Sequence, residues 1–307
     1  MVDVVLEVRD ARIPLSTTHP QVAAWVGGKP RLVVMNRVDM ISKRDKREWD
    51  AYFEARGQTF FWTDAAAGSG SQRLHKAAVA AAKSVNERRE RRGLAPRAVR
   101  ACVIGFPNIG KSALINRLLG RRVVESAAKP GVTRHLKWVS LGDDLDLLDA
   151  PGVIPAAFED QIAAQRLAMC NDIGEAAYVD SLVAAALVAR VKRLPSARAL
   201  AARLEKRYRL DPFVVSSEEF VAGLAGELFG GDKEKAGRRI LGDYRAGHLG
   251  EFALESPADA PDAPGGGGGG GGGRERGGSK ARSVDAPPPA AGDAGWGAGG
   301  GGGEEVA

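Results

Sequence analysis

Residues Arg100 to Gly120 read RACVIGFPNIGKSALINRLLG. The short apolar run Ala101–Ile104 breaks at Gly105, and a loop leads to Gly110-Lys111-Ser112. Beyond it, Ala113 to Leu119 carries apolar residues at helical spacing, with Gly120 placed as a C-cap. Strand, loop and helix around G-x-x-x-x-G-K-S make a phosphate-binding P-loop. Its glycines let the backbone N–H groups of Asn108, Ile109, Gly110, Lys111, Ser112 and Ala113 point inward, and the helix N-terminus adds positive dipole. The spacing gives Lys111 the β/γ-phosphate oxygens and the Ser112 hydroxyl a Mg²⁺ ion.

A second site lies upstream. The apolar strand Arg31–Met35 ends at Asn36-Arg37-Val38-Asp39, which resembles the guanine-reading N-K-x-D with Arg37 in the lysine place. Asp39 can accept from guanine N1–H and N2–H, a donor pair adenine lacks, and an unpaired carboxylate penalises the wrong base. Asn36 is expected to tie this loop to the P-loop, and the Arg37 stem to lie over the base. Another strand, Thr59–Thr63, ends at Asp64-Ala65. Two readings stand for that loop: closure of the base pocket, or an ordinary strand-to-helix connection.

Downstream, Lys129-Pro130-Gly131-Val132-Thr133 precedes a strand at 136–141. Thr133 is placed to offer its hydroxyl to Mg²⁺ and its N–H to a γ-phosphate. The strand Leu145–Leu148 ends in Asp149-Ala150-Pro151-Gly152, a D-x-x-G. Asp149 is read as holding a Mg²⁺-bound water, and the Gly152 N–H as meeting the γ-phosphate.

The base reader precedes the P-loop, the reverse of the ordinary order. Strand neighbours, not the cut points of the chain, define such a sheet. The sequence therefore predicts an α/β fold: a circularly permuted P-loop GTPase domain over 1–158, mostly parallel, with helices on both faces. A small all-helical domain over 159–255 is expected to follow. The basic stretch Asn86–Arg100 (NERRERRGLAPRAVR) joins the old ends and reads as a solvated connector. Other elements expected upstream are a strand at Val2–Val8, a loop at Asp10–Pro14 and helices at Gln21–Val26, Lys43–Arg56 and Leu74–Val85.

The combination of DARIP (10–14), NRVD, GFPNIGKSALINRL, KPGVTR and LDLLDAPGV resembles the permuted ribosome-assembly GTPases of the YlqF/RbgA type. LAMCNDIGEAAY (167–178) and LFGGDKEKAGRRIL (228–241) are most similar to their plant and algal chloroplast relatives, the DAR GTPases. The resemblance covers about residues 1–255. It implies GTP and GDP as ligands, Mg²⁺ as cofactor, a large ribosomal subunit and its rRNA as partner, a monomer, and a helical domain that contacts rRNA. It implies a chloroplast stroma location if the source is a plant or alga, and otherwise a cytoplasmic one. Asn108 occupies a position resembling the K⁺ ligand of potassium-activated GTPases; the alternative is that it only shapes the loop. No catalytic residue is assigned. Val153 stands where such enzymes place a water-orienting Gln, and Ile154 follows. In the family a histidine ahead of the first strand is implicated, and the chain, opening directly on that strand, is expected to lack upstream residues. Alternatives are a nucleotide-gated RNA-binding module with little hydrolysis, and a permuted GTPase of small-subunit assembly. An ATP-binding P-loop protein conflicts with Asp39.

Composition bounds the rest. Of 307 residues, 44 are Lys or Arg and 38 Asp or Glu, a net charge of +6. From Pro257 the chain is Gly, Ala and Pro with isolated charges, including the run Gly265–Gly273. Such a segment buries too little to offset its entropy, so 256–307 reads as a disordered tail. The lone Arg274-Glu275-Arg276-Gly277-Gly278 weighs less as an RNA contact than as solvated tail. Residues 257–307 hold four basic and seven acidic groups, leaving +9 on residues 1–256, which suits a polyanionic partner. Cys102 and Cys170 alone argue against a disulfide scaffold and for a reducing compartment. The longest apolar run, Leu182–Val191, is too short to span a membrane, and no signal or transit peptide is visible. Helices are expected at Asp160–Met169, Glu175–Lys192, Ser196–Arg207, Ser217–Phe229 and Asp232–Ala246, with Ser216 and Glu219 as a capping box. His19, His75, His135 and His248 are scattered and read as surface or packing residues.

Overall fold

The most charged-looking strand is the most buried one. β1 (Val4–Asp10, VVLEVRD) is buried at every position, although Glu7, Arg9 and Asp10 are ionisable. A buried charge persists only when paired. Arg9 Nε donates to Glu7 Oε1 at 2.8 Å, and Asp10 meets Arg12. The computed structural model describes residues 2–123, 136–152 and 160–261.

Around β1 stand β2 (Arg31–Asn36), β3 (Phe60–Thr63), β4 (Val99–Ile104), β5 (Lys137–Leu141) and β6 (Leu145–Asp149), in the order β3-β2-β1-β4-β6-β5. All neighbours pair in parallel except β5 with β6. β1 pairs with β4 across the whole of the intervening chain, and this is the permutation expected from the motif order. In register, Asp10 lies beside Asn36 and Asn36 beside Thr63, while Glu7 faces Ile104 and Val103 faces Asp149. The carboxyl ends of five parallel strands therefore form one edge, where ligands of open α/β sheets bind.

One face is covered by α3 (Ser71–Ala81) and α5 (Lys111–Leu119), whose Leu74, Ala78, Leu114 and Ile115 join Val4, Leu6 and Val8 in the main core. On the other face, α1 (Val22–Val26) packs on Val5. There too, α2 (Lys43–Ala55) sets Trp49 and Phe53 against Val33 and Met35. Ser42 and Asp45 close a capping box at the start of α2, and Gly120 ends α5 in the left-handed region at φ 65°.

Beyond the sheet come α6 (Gln161–Cys170), α7 (Asp180–Val191), α8 (Ala197–Tyr208), α9 (Ser217–Leu228) and α10 (Lys233–Arg245). α7 is their centre, burying Val183, Ala184, Ala185, Leu187, Val188 and Val191. Ser216 and Glu219 form the expected capping box of α9. Among the described residues, no helix is long and apolar enough to cross a membrane.

Four expectations need correction. The helix read over 74–85 is two, because the backbone leaves helical geometry at Ala82 (φ −109°, ψ 12°) and a separate α4 (Lys83–Glu90) follows. The connector 86–100 is therefore largely ordered. The helix read from Glu175 begins at Asp180, with a 3₁₀ turn at Glu175–Ala177 before it. The tail does not begin at 256. Pro257–Asp259 form a 3₁₀ turn, and Asp259 accepts hydrogen bonds from Arg166 (2.8 Å) and Arg190 (2.7 Å). These ion pairs supply what apolar burial could not. The expectations for Thr133, Val153, Ile154 and His135, and for 262–307, lie outside the described residues.

Candidate functional site: a nucleotide cradle tied by Asn36

Asn36 ends β2 and is 2 % exposed. Its Nδ2 donates to the Ile109 carbonyl of the P-loop at 2.8 Å. Its Oδ1 accepts from Thr63 Oγ1 (3.2 Å) and Ala65 N (3.1 Å). One amide thus joins the base-reading loop, the P-loop and the loop after β3. Gly110 is what allows this approach. Its φ is +93°, and a Cβ there would lie 2.4 Å from Asn36 Nδ2. Arg117 of α5 donates to the Ala65 carbonyl at 3.2 Å, a further tie to the same loop. Of the two readings for Asp64-Ala65, the geometry brings Ala65 to the hub. Asp64 Oδ1 instead accepts from Ala66 N and Ala67 N within its own turn.

Val38, Asp39 and Met40 form a short 3₁₀ turn that leaves Asp39 exposed. Surrounding protein raises the Asp39 carboxyl above the ordinary carboxylate range, with the Asp64 carboxylate adding to the effect. Arg37 sits in the left-handed region (φ 64°), as does Asn108 (φ 56°). The Arg37 guanidinium reaches the Asn108 carbonyl and donates to Asp10 Oδ2 at 2.8 Å. It is thus an anchor between loops rather than a free stem.

At the P-loop, Lys111 is buried and its Nζ donates to the carbonyls of Gly105 (3.1 Å) and Phe106 (2.7 Å). Burial lowers it to about 8, against the opposing pull of Asp149 and Asp172. A lysine so desolvated gains most from a polyanion that replaces its carbonyl partners. Ser112 and Ala113 open α5, and Asp149 lies fully buried at the end of β6. Gly152 lies against the P-loop, where a Cβ would come within 2.6 Å of Pro107 N. The Ser112 hydroxyl and the Asp149 carboxylate are an all-oxygen donor set of the hard type that suits Mg²⁺.

Behind the cradle, residues 10–14, a loop by sequence, carry a buried ionic network. Arg12 is 1 % exposed and holds Asp10 through Nε (2.9 Å) and an η nitrogen (2.8 Å). The same guanidinium donates to the Cys170 carbonyl at 3.1 Å. Burial favours neutral Asp10, but Arg12 and Arg37 outweigh it and bring the carboxyl down to about 2. Asp172 is fully buried, 3.5 Å from Arg37, and burial together with Asp10 pushes it up to about 8. Asn108 Nδ2 donates to the Asn171 carbonyl at 2.8 Å. Asp10, Cys170 and Asp172 bring donor atoms within 4.8 Å of one another, yet Arg12 and Arg37 already supply the cationic charge there. The signal available in the sequence was the ionisable Glu7, Arg9 and Asp10 inside an apolar strand.

His19, His75 and His248 are packing or surface groups. His19 is buried against Trp25, with ring centroids 4.1 Å apart, while His75 meets Asp144 and His248 meets Asp243.

Comparison with known proteins agrees with this geometry. A family model described as 50S ribosome-binding GTPase matches residues 100–214. Ribosome biogenesis GTPase A of Bacillus cereus is 34 % identical over 266 residues, covering 84 % of this chain and 88 % of the relative. The chain belongs to the ribosome biogenesis GTPase A family. The Priestia megaterium member is 31 % identical over 268 residues, covering 85 % of this chain and 91 % of its own length. GNP-bound YlqF from T. maritima shares the fold with a TM-score of 0.54 at 23 % identity, covering 84 % of this chain and 94 % of that one. The sheet order and the helices after it are thus those of a permuted GTPase of this family.

Proposed function

We propose that the protein binds GTP and hydrolyses it to GDP and phosphate as an assembly factor for the large ribosomal subunit. The observation that carries this reading is the Asn36 hub, which fixes the Asp39 turn beside the P-loop so that one nucleotide spans both. Residues 1–158 act as the permuted GTPase domain and 159–255 as the helical domain facing ribosomal RNA. The protein works as a monomer, in the chloroplast stroma if its source is a plant or alga. Guanine is read by Asp39, with Asn36, Arg37, Val38, Asp64 and Ala65 around the base. The amides of residues 108–113 and of Gly152 face the phosphates.

Ser112, Thr133 and, through water, Asp149 are the residues that hold Mg²⁺. The ion, when bound, neutralises charge developing on the phosphates. Asn108 is the residue assigned to K⁺. Its Nδ2 is engaged by Asn171, so Oδ1 is the atom that meets a cation; equal rates in potassium and sodium buffers exclude this role. Val153 can neither donate nor accept a hydrogen bond through its side chain, so intrinsic turnover is slow and depends on the ribosomal partner.

Calorimetry with GTP and ATP, and turnover in the presence of isolated large or small subunits, test the reading. GTP alone is bound, and large subunits accelerate hydrolysis. Asp39→Asn weakens GTP by about a hundredfold, the loss of hydrogen bonds to a charged acceptor, and shifts preference toward xanthine nucleotides. ATP binding by the parent protein defeats guanine specificity. Stimulation by small subunits alone transfers the role to their assembly.

A further inference from the structure

The segment that joins the permuted ends is a built arginine hairpin. α4 fully buries none of its residues and only Val85 packs against the main core, so little apolar contact holds it in place. It is nevertheless clamped. Asn86 Nδ2 donates to the Arg97 carbonyl at 2.9 Å, and Arg97 N donates back to Asn86 Oδ1 at 3.2 Å. Arg97 forks onto Asp3 at 2.7 and 2.9 Å, and the same carboxylate accepts from Arg100 N at 2.9 Å. Arg89 Nε closes the turn onto the Ala95 carbonyl at 3.0 Å.

What the clamp presents is charge. Residues 83–98 hold six cationic groups against Glu87 and Glu90. Arg91 and Arg92 are exposed and make no side-chain hydrogen bond or ion pair among the described residues. Beside the return strand, the Arg100 guanidinium lies over the ring of Trp138, 5.6 Å from its centroid, and Trp138 is 46 % exposed. Of the acids in the strands and turn alongside, Asp3 is held by Arg97, Asp144 lies 3.3 Å from His75, Asp146 accepts from Ser140 at 2.7 Å, and Asp143 is exposed.

We infer that this hairpin is a second contact for ribosomal RNA, gripping the phosphodiester backbone at the sheet edge opposite the nucleotide. The inference rests on the ribosomal reading above. Arginine's planar fork suits phosphate oxygens in pairs, and an exposed tryptophan beside it suits stacking on an unpaired base. A membrane surface is disfavoured because α4 has no apolar face to insert. The hairpin enters at the amino end of β4, whereas the nucleotide loops leave the carboxyl ends. RNA held there leaves the cradle open.

The test uses the full chain with Arg88, Arg91 and Arg92 all changed to Gln, and deproteinised large-subunit rRNA as probe in filter binding over a salt series. Three lost phosphate contacts make the slope of log affinity against log salt shallower by about two, and affinity at about 100 mM salt falls tenfold or more. GTP affinity and thermal midpoint stay at parent values, since all three side chains are exposed and none belongs to the clamp. The corresponding three Lys substitutions recover the salt slope but not the full affinity. An unchanged slope and affinity in the Gln variant overturns the hairpin's role and leaves the GTPase reading intact. An equal loss toward poly-glutamate means an acidic protein partner and overturns it as well. A parent chain that binds GTP but no rRNA refutes the ribosomal reading itself.

Discussion

Asn36 makes three hydrogen bonds from a site with almost no water contact. Removing its amide strands the Ile109 carbonyl and the Thr63 hydroxyl in buried surroundings and the Ala65 N–H in half-buried ones. Each stranded group costs about 1–3 kcal/mol, and the loops lose their common anchor. Asn36→Ala is expected to destabilise the fold by about 3 kcal/mol and to weaken GTP binding at least tenfold, read by denaturant melts and calorimetry. Asn36→Asp keeps the acceptor but loses the donor to Ile109, so it retains the tie to Ala65 while still loosening the P-loop. If Asn36→Ala binds GTP like the parent, the hub is decoration on a site held by other means.

Between elements, the carboxyl pair behind the cradle sets a pH dependence. Asp172 faces Asp10, Arg12, Arg37 and Cys170, with Lys111 within electrostatic reach. Its folded-state value of about 8 lies above the ordinary 3.8. The stability it confers is therefore complete below about pH 4 and is lost as pH rises toward 8. Asp10, lowered to about 2, acts in the opposite sense, its contribution being lost only in strong acid. Melts of the parent between pH 5 and 8 should thus lose about 2 kcal/mol or more, and Asp172→Asn should flatten that decline. A parallel decline in the variant would assign the effect elsewhere. The P-loop, the NRVD turn and the strand order were legible because each depends on local spacing or on motif order. The Asp10–Arg12–Arg37–Asp172 network was not, because it is assembled from segments 158 residues apart in the chain, as Arg12 and the Cys170 carbonyl show. The ordered hairpin was likewise missed, because its clamp is a single Asn and one distant Asp rather than an apolar stripe.

Across the whole molecule, the helices after the sheet are fastened to it by polar ties as well as by shared core. Leu254 N donates to the Arg12 carbonyl at 2.8 Å, and Glu255 accepts from Leu15 N at 2.6 Å. Arg166 meets Glu255 at 3.2 Å, and Ala253 N donates to Asp45 at 3.0 Å. Arg12 is the common member, with its side chain on Asp10 and Cys170 and its carbonyl on the returning chain. Arg12→Ala leaves Asp10 with Arg37 alone and should cost about 3–5 kcal/mol. Calorimetry should show one unfolding transition in the parent and two in the variant. A single transition with unchanged midpoint would show that the shared apolar core alone couples them.

The position of β1 has a consequence for how the chain is made. It lies between β2, which follows soon after it, and β4, which follows only after the arginine hairpin. While the chain emerges from the ribosome, the guanine-reading half is complete before the phosphate-reading half exists. Until β4 arrives, one edge of β1 stays unpaired, a surface prone to wrong partners. Ile109, the P-loop partner of Asn36, comes later still, so a nascent chain can hold no nucleotide. A newborn molecule that binds GTP has therefore already paired β1 with β4, and nucleotide occupancy doubles as a sign that the two permuted halves have joined.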